Sequence, residues 1–426
     1  MKNWAGNIQF QPEKVFAPTC TSDVQIMVQA ANKLNKTIRP IGSGHSWTGL
    51  IVSNQFFVHL DRMQGITQVN HKDSTLSALA GTKLSVFGDE AFKLGLAMEN
   101  QGDINKQSLA GAMSTGTHGT GITLQSVSNQ ATSLELVLAS GDIERIDKES
   151  NPDLYQASRV SFGSLGLLTE ATLKLLPAYK LKITSFAEDM DLALQRLSER
   201  LTKHRHVEMF YFPVGDWSLV KIMDQTSETV SHRGLMQKFN ETVLENYLYE
   251  LLNKAAFRTK AYPQFDKLMR KFVSKSVAID WSHRAFPTDR SIRFMEMEYN
   301  LPVEKFNDVF EEIKSCIKKN NFQTLFPIEI RFVKGDDIWL SPAYGRDSVY
   351  FAIHTYIQED YKNYFNQIEA IFKNHGGRPH WGKWHSLKDR DFEKIYPKWN
   401  EFKKIRETLD PQGRFINSHL KDIFGL

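Results

Sequence analysis

Cysteine is almost missing from this chain: Cys20 and Cys316 are the only two in 426 residues. A disulfide framework is therefore excluded, and a reducing compartment fits. Long apolar runs are missing too. Nowhere do about 18 consecutive apolar residues suggest a membrane span, and the first ten residues, Met1 to Phe10, lack the apolar core of a signal peptide. A cytoplasmic protein without a transmembrane segment is expected. Excess charge is scarce: the net charge is only +4, and no Lys/Arg block interleaves with aromatics, so nucleic acid is not an expected partner. No internal repeat or low-complexity tract is present.

What remains is an ordinary globular composition, 41% hydrophobic and 24% charged, on a chain long enough for two or three domains. Ser22-x-x-Gln25 reads as a capping box opening a helix over 22–35. It is followed by a strand-like run at 36–41 and a glycine-rich loop at 42–44. Further strands are expected at 56–60, 66–70, 75–80, 132–139 and 167–176, with a helix over 84–95. Pro177 ends this region. Beyond it, long helical patterns at 190–202, 234–258 and 303–320 lie between strands at 206–212, 292–300, 326–333 and 348–357, which together make a mixed α+β protein.

Glycine gathers in three places. Gly42-Ser43-Gly44-His45-Ser46-Trp47 follows a strand, so its backbone amides can approach a pyrophosphate. It is not the dinucleotide-binding fingerprint, which needs a third glycine where Trp47 stands, and no phosphate-binding Gly-Lys-Ser/Thr loop exists. The second cluster, Gly116-Thr117-His118-Gly119-Thr120-Gly121, comes after Ser108-Leu-Ala-Gly111. The third is Phe162-Gly163-Ser-Leu-Gly166. Each alone reads as a turn.

In this order and spacing the three resemble the flavin domain of the vanillyl-alcohol-oxidase-type flavoproteins. The resemblance implies FAD, held by Gly42, Ser43, Gly44, Ser46, Trp47, Ser108, Gly111, Gly116, Thr117, His118, Gly119, Gly163 and Gly166, and bonded covalently through His45. Doubly attached relatives add a cysteine near the second cluster. No cysteine lies between 21 and 315, so attachment through one histidine is expected.

In Phe326-Pro-Ile-Glu-Ile-Arg-Phe-Val333 the alternation of a strand puts Ile328, Ile330 and Phe332 on one face and Glu329 and Arg331 on the other. In Val349–Tyr356 the same alternation puts Tyr350, His354 and Tyr356 together. If the two strands are neighbours, the shared face is polar and aromatic, suited to a polyol. Taken with Gly376-Gly-Arg-Pro-His-Trp-Gly-Lys-Trp-His385 and Asp410-Pro-Gln-Gly-Arg-Phe-Ile-Asn417, this region resembles the sugar-1,4-lactone oxidases of the L-gulono- and D-arabinono- type, with alditol oxidases as kin.

That resemblance implies an FAD-binding domain over 1–177, an α+β substrate (cap) domain with an antiparallel sheet over 178–380, and a segment over 381–426 that returns to the first domain. It further implies that Glu329, Arg331 and Lys383 contact a sugar lactone or polyol, with Ser108 beside them and His380 at the flavin; Tyr356, on the polar face set by alternation, is expected to join the substrate contacts. O2 is the expected electron acceptor, and a dehydrogenase that passes its electrons to a protein or quinone is the alternative. Oxidation of a carbinol requires the hydroxyl proton to leave, and an acceptor or basic group assists that loss. The residue types do not distinguish which group takes it.

His380 and His385 have no third ligand of matching spacing and no His-Glu-x-x-His helix, so no metal is expected. The basic, amphipathic stretch from His232 to Val273 places Leu235, Phe239, Val243, Tyr247, Leu251 and Phe257 along one face. Interrupted by Asn240, Glu241, Glu245, Asn246, Glu250, Asn253 and Lys254, it reads as a covering helix rather than a membrane-surface one.

Overall fold

A computed structural model describes residues 1–231, 249–287 and 292–426. Near the N-terminus, strands Lys14–Phe16, Phe56–His59 and Ile38–Ile41 form a small parallel sheet. Parallel strands need a crossover, and helix Thr21–Lys33 supplies one. The expected capping box does not form. The helix starts at Thr21 behind Cys20, which makes no side-chain cap, so Ser22 already lies in the first turn. Asp23 instead accepts from the Thr19 backbone and hydroxyl at 2.7 and 2.8 Å, and Gln25 reaches the Gly141 carbonyl at 2.8 Å.

A second, five-stranded antiparallel sheet runs in the order Ile66–Asn70, Thr75–Leu79, Leu167–Lys174, Ala131–Val137, Ile143–Asp147. Helices Leu84–Lys93 and Leu109–Ser114 pack Leu84, Phe87, Ala91, Leu109 and Met113 against its Leu76, Ala78, Leu134, Ala171 and Leu173. After Lys174 the chain forms a two-residue pairing, Leu176–Pro177 with Leu96–Ala97, and enters the largest sheet at Lys180.

That sheet has eight strands, all antiparallel, in the order Ser276–Trp281, Lys180–Asp189, Trp217–Thr226, His206–Phe212, Ile328–Val333, Ser348–Tyr356, Phe294–Pro302, Arg378–Pro379. One face is apolar. Ile328, Ile330, Phe332, Phe351 and Ile353 meet Val309, Phe310 and Ile313 of helix Phe306–Asn320 and Phe365, Ile368 and Phe372 of helix Tyr361–Asn374. Strands Ile328–Val333 and Ser348–Tyr356 are buried at every position, so the opposite, polar face is covered as well.

Two helical expectations shift. The 190–202 pattern is broken at Arg196 into helices Met190–Gln195 and Leu197–Lys203. The expected 234–258 helix lies outside the described residues as far as 248. From there, helix Tyr249–Thr259 turns Leu252, Asn253 and Ala256 inward and leaves Leu251, expected on the apolar face, 62% exposed. Tyr249 sets this rotation, since its ring packs on Phe326 and its hydroxyl donates to the Leu325 carbonyl at 3.1 Å. Among the described residues no helix is long and apolar enough to cross a membrane.

The C-terminal residues return to the N-terminal sheet, and Arg39 is the joint. Its guanidinium donates to the carbonyls of Leu50, Phe162, Gly163 and Phe415 at 2.8–3.2 Å, while the Ile38 amide donates to the Arg414 carbonyl at 2.7 Å. Burial without a carboxylate lowers the guanidinium pKa to about 10. Replacing Arg39 by Met leaves four buried carbonyls without their charged donor. The change is expected to cost on the order of 3 kcal/mol, read as a lower urea midpoint and as faster proteolysis within 381–426; an unchanged midpoint would contradict this joint.

Candidate active site

Between the N-terminal loop and the polar face of the eight-stranded sheet lies a cavity of about 620 Å³, within the range of small-molecule and cofactor sites. One wall is the loop 42–47 together with Arg39, Ser108, Gly111, Thr117, His118 and Gly163; the other carries Glu296, Glu298, Glu329, Arg331, His380 and Lys383. The loop is anchored from both sides: the Trp47 amide donates to the Gly382 carbonyl at 2.7 Å and the Trp4 amide to the Gly44 carbonyl at 2.9 Å. Gly42 has no room for a side chain, because a Cβ there would lie 2.0 Å from Ser108 Oγ. Ser108 is fully buried and caps helix Leu109–Ser114, accepting from the Gly111 amide at 3.2 Å.

His45 stacks on Trp4 with ring centroids 5.4 Å apart. Among the described residues neither ring nitrogen has a hydrogen-bond partner. Burial, then the ammonium groups of Lys383 and Lys83, lower its pKa to about 4, so the imidazole is neutral near pH 7.

The opposite wall is set by strand register. Glu329 lies beside Ala352, and Arg331 between Glu208 and Tyr350. Arg331 forms ion pairs with Glu208, Glu329 and Asp103, the last at 2.8 Å. The three carboxylates approach within 4.8 Å of one another, and such a cluster requires a cation, which the guanidinium provides. Burial disfavours the charge, but Asp103, Glu208 and Glu329 outweigh it and hold the Arg331 pKa well above its usual value.

On strand Phe294–Pro302, one strand beyond Ser348–Tyr356 in the sheet order, Glu296 pairs with Lys383 and Glu298 with His118, the latter at 3.0 Å. Burial opposes both charges. Lys383 and His354 nevertheless bring Glu296 down to about 2, and His118, His380 and Lys383 hold Glu298 well below the carboxylate range. Burial lowers His380 to about 4 against the pull of Glu298. The Gly382 amide donates to His380 Nδ1 at 3.1 Å, so the neutral ring keeps its proton on Nε2.

Several expected positions do not line the cavity. Tyr356 packs against Phe257, with centroids 6.0 Å apart. Gly116 supplies a backbone turn at φ +74°, and Gly119 and Gly166 serve packing: a Cβ at Gly119 would lie 2.3 Å from Asn100 Oδ1, and one at Gly166 3.1 Å from the Val137 carbonyl. Asp103, Glu208, Glu296 and Glu298 were missed by sequence reasoning. The alternating Glu296-x-Glu298 was the one available signal, since it repeats the Glu329-x-Arg331 pattern.

The family model for D-arabinono-1,4-lactone oxidase matches residues 171–423. The chain belongs to that family. A second match, to an FAD binding domain, covers residues 12–147. Members of known name include L-gulono-1,4-lactone dehydrogenase of Mycobacterium tuberculosis, 32% identical over 99% of this chain and 98% of that one. L-gulonolactone oxidase of Scyliorhinus torazame is also 32% identical over 99% and 98%. Cholesterol oxidase from Brevibacterium sterolicum superposes with a TM-score of 0.84 over 100% of this chain and 96% of that one at 17% identity. That likeness shows the fold alone, which is the vanillyl-alcohol-oxidase type.

The cavity fits FAD, the cofactor of this family. It lies between two walls, the side chain missing at Gly42 lets the loop close on Ser108, and a neutral imidazole without a hydrogen-bond partner among the described residues stands in the same loop. Gly42→Ala is expected to lower the FAD content of the purified protein severalfold, as read from flavin absorbance per protein. Gly42→Ala/Ser108→Ala should recover part of it, since the next contact is then 3.1 Å away. Equal FAD content in all three proteins would show that the loop tolerates the side chain.

Proposed function

We propose that the chain oxidises the ring carbinol beside the carbonyl of an L-gulono- or D-arabinono-1,4-lactone, with FAD bonded through His45 and O2 as electron acceptor. One observation carries the reading: a single cavity joins the His45 loop to Glu329, Arg331 and Lys383. Bound FAD supplies the acceptor for the carbinol hydride and the path of its two electrons to O2, which leaves as H2O2.

The protein's part is to bind and to stabilise charge. Glu329 accepts a hydrogen bond from a sugar hydroxyl, and Arg331, fixed by Asp103 and Glu208, donates to another. As the carbinol proton leaves, negative charge grows on its oxygen, and Arg331 and Lys383 oppose it in a water-poor site where such interactions are strong. His45 contributes a neutral ring nitrogen, the state that can be alkylated.

A second reading is supported by the name of the Mycobacterium tuberculosis relative, a dehydrogenase: the same carbinol is oxidised but the electrons go to an acceptor other than oxygen. Steady-state assays with L-gulono-1,4-lactone, D-arabinono-1,4-lactone and xylitol, each with peroxide detection, separate the cases. Lactone turnover with stoichiometric peroxide is expected. Lactone turnover only with an artificial acceptor, and reduced enzyme that stays bleached in air, would select the dehydrogenase. Xylitol turnover alone would overturn the lactone assignment.

For the covalent link, acid-precipitated protein is expected to remain yellow and to fluoresce in a denaturing gel, and His45→Ala to lose both. Because the His45 pKa lies near 4, the imidazole stays neutral on lowering the pH until that value is approached. Attachment of FAD to apoprotein should therefore proceed at a constant rate between about pH 5.5 and 7.5, where an ordinary imidazole titrates. Free FAD in the acid supernatant would overturn the link.

A further inference from the structure

Lys383 stands at the end of a long flexible stem, and a lysine ammonium is a compact charge with no preferred direction. Held loosely, it would spread over several rotamers and lose that freedom only when fixed. Here it is fixed before substrate arrives. Its Nζ lies 4.3 Å from the centroid of the Trp47 ring, a cation–π contact, and pairs with Glu296 Oε2. The other carboxylate oxygen, Oε1, faces His354 Nε2 at 3.4 Å.

The clamp is itself braced. Trp47 Nε1 donates to the Phe294 carbonyl at 2.9 Å, two residues from Glu296 on the same strand, so ring and carboxylate share one support. The Trp384 amide donates to the Glu296 carbonyl at 3.0 Å and the Lys383 amide to the His380 carbonyl at 2.9 Å. His354 sits directly across from Glu296 in register. Its Nδ1 lies 3.1 Å from the Pro327 carbonyl, which can only accept, so Nδ1 carries a proton and the ring is held with Nε2 toward Glu296.

We propose that Glu296 is a positioning residue for the oxidation: its carboxylate holds the Lys383 ammonium against Trp47 at the point where the carbinol oxygen becomes negative. The inference rests on the lactone reading above and adds a residue to it. Glu296 acts through Lys383 and not on substrate directly, so its effect should vanish when Lys383 is gone.

A double-mutant cycle reads this out. Flavin reduction by L-gulono-1,4-lactone is followed anaerobically by rapid mixing in the wild type, Glu296→Gln, Lys383→Met and the double variant, each with its FAD content checked. Each single change should slow reduction at saturating lactone about tenfold or more, and the double variant should fall within about twofold of Lys383→Met. Multiplying effects would overturn the proposal. Should Glu296→Gln fail to fold, Glu296→Asp carries the same cycle, with a smaller slowing because the carboxylate is retained.

A second readout needs no substrate. In holoenzyme treated with limiting acetic anhydride, peptide mass spectrometry should find Lys383 acetylated severalfold faster in Glu296→Gln than in wild type. Lys83, which pairs with Asp61, should be unchanged. Equal labelling of Lys383 would overturn the positioning role even if no lactone reduced the enzyme. Absence of wild-type reduction by any lactone would count against the proposed function alone.

Discussion

A buried arginine with no carboxylate beside it organises the N-terminal half of the molecule. Arg39 lies one residue into the strand that leads to the glycine-rich loop, and its donors are spent on backbone carbonyls from three other segments: Leu50, Phe162 with Gly163, and Phe415. Orphaned carbonyls are costly when buried, so those segments converge where the guanidinium can reach them. The consequence is that the loop 42–47 emerges from a rigid base, with Gly163 behind it and the C-terminal segment alongside, and His45 is aimed before any cofactor is present.

The eight-stranded sheet solves a different problem. Its helix-covered face is conventional apolar packing, whereas its other face buries Glu208, Glu296, Glu298 and Glu329. Such a face is tolerable only if each charge meets a partner of opposite sign. Arg331, Lys383 and His118 meet that requirement, and Asp103 reaches across from the loop at 102–107 to complete the shell around Arg331. The polar wall is thus a network whose members fix one another. This is what a site needs if it is to stabilise charge without reorganising during the reaction.

Much of this was legible beforehand, and the reason differs by element. The strand at Ile328–Val333 and its two faces followed from alternation, which is a local property of the backbone. The helix at Phe306–Asn320 and strands such as His206–Phe212 announced themselves by period. Strands Lys180–Asp189, Trp217–Thr226 and Ser276–Trp281 did not, because partly exposed sheet positions carry lysines, serines and acids that blur the alternation. The capping box at Ser22 misled for a related reason: the motif is local, but the helix start was decided by Thr19 and Asp23 just ahead of it.

By itself, then, the sequence determined the pieces with short range: a glycine turn ending in His45, a strand displaying Glu329 beside Arg331, and a lysine in a Gly/Trp-rich segment. The tertiary structure alone decided which pieces meet. Strand register, a contact between residues more than fifty positions apart, set Glu208 next to Arg331 and Glu296 next to His354. Tyr356 and His354 share a face by alternation, yet neither lines the cavity. The physical reason is that side-chain direction follows from the backbone of one residue and its neighbours, whereas the partner a buried charge requires can come from any strand the fold brings alongside.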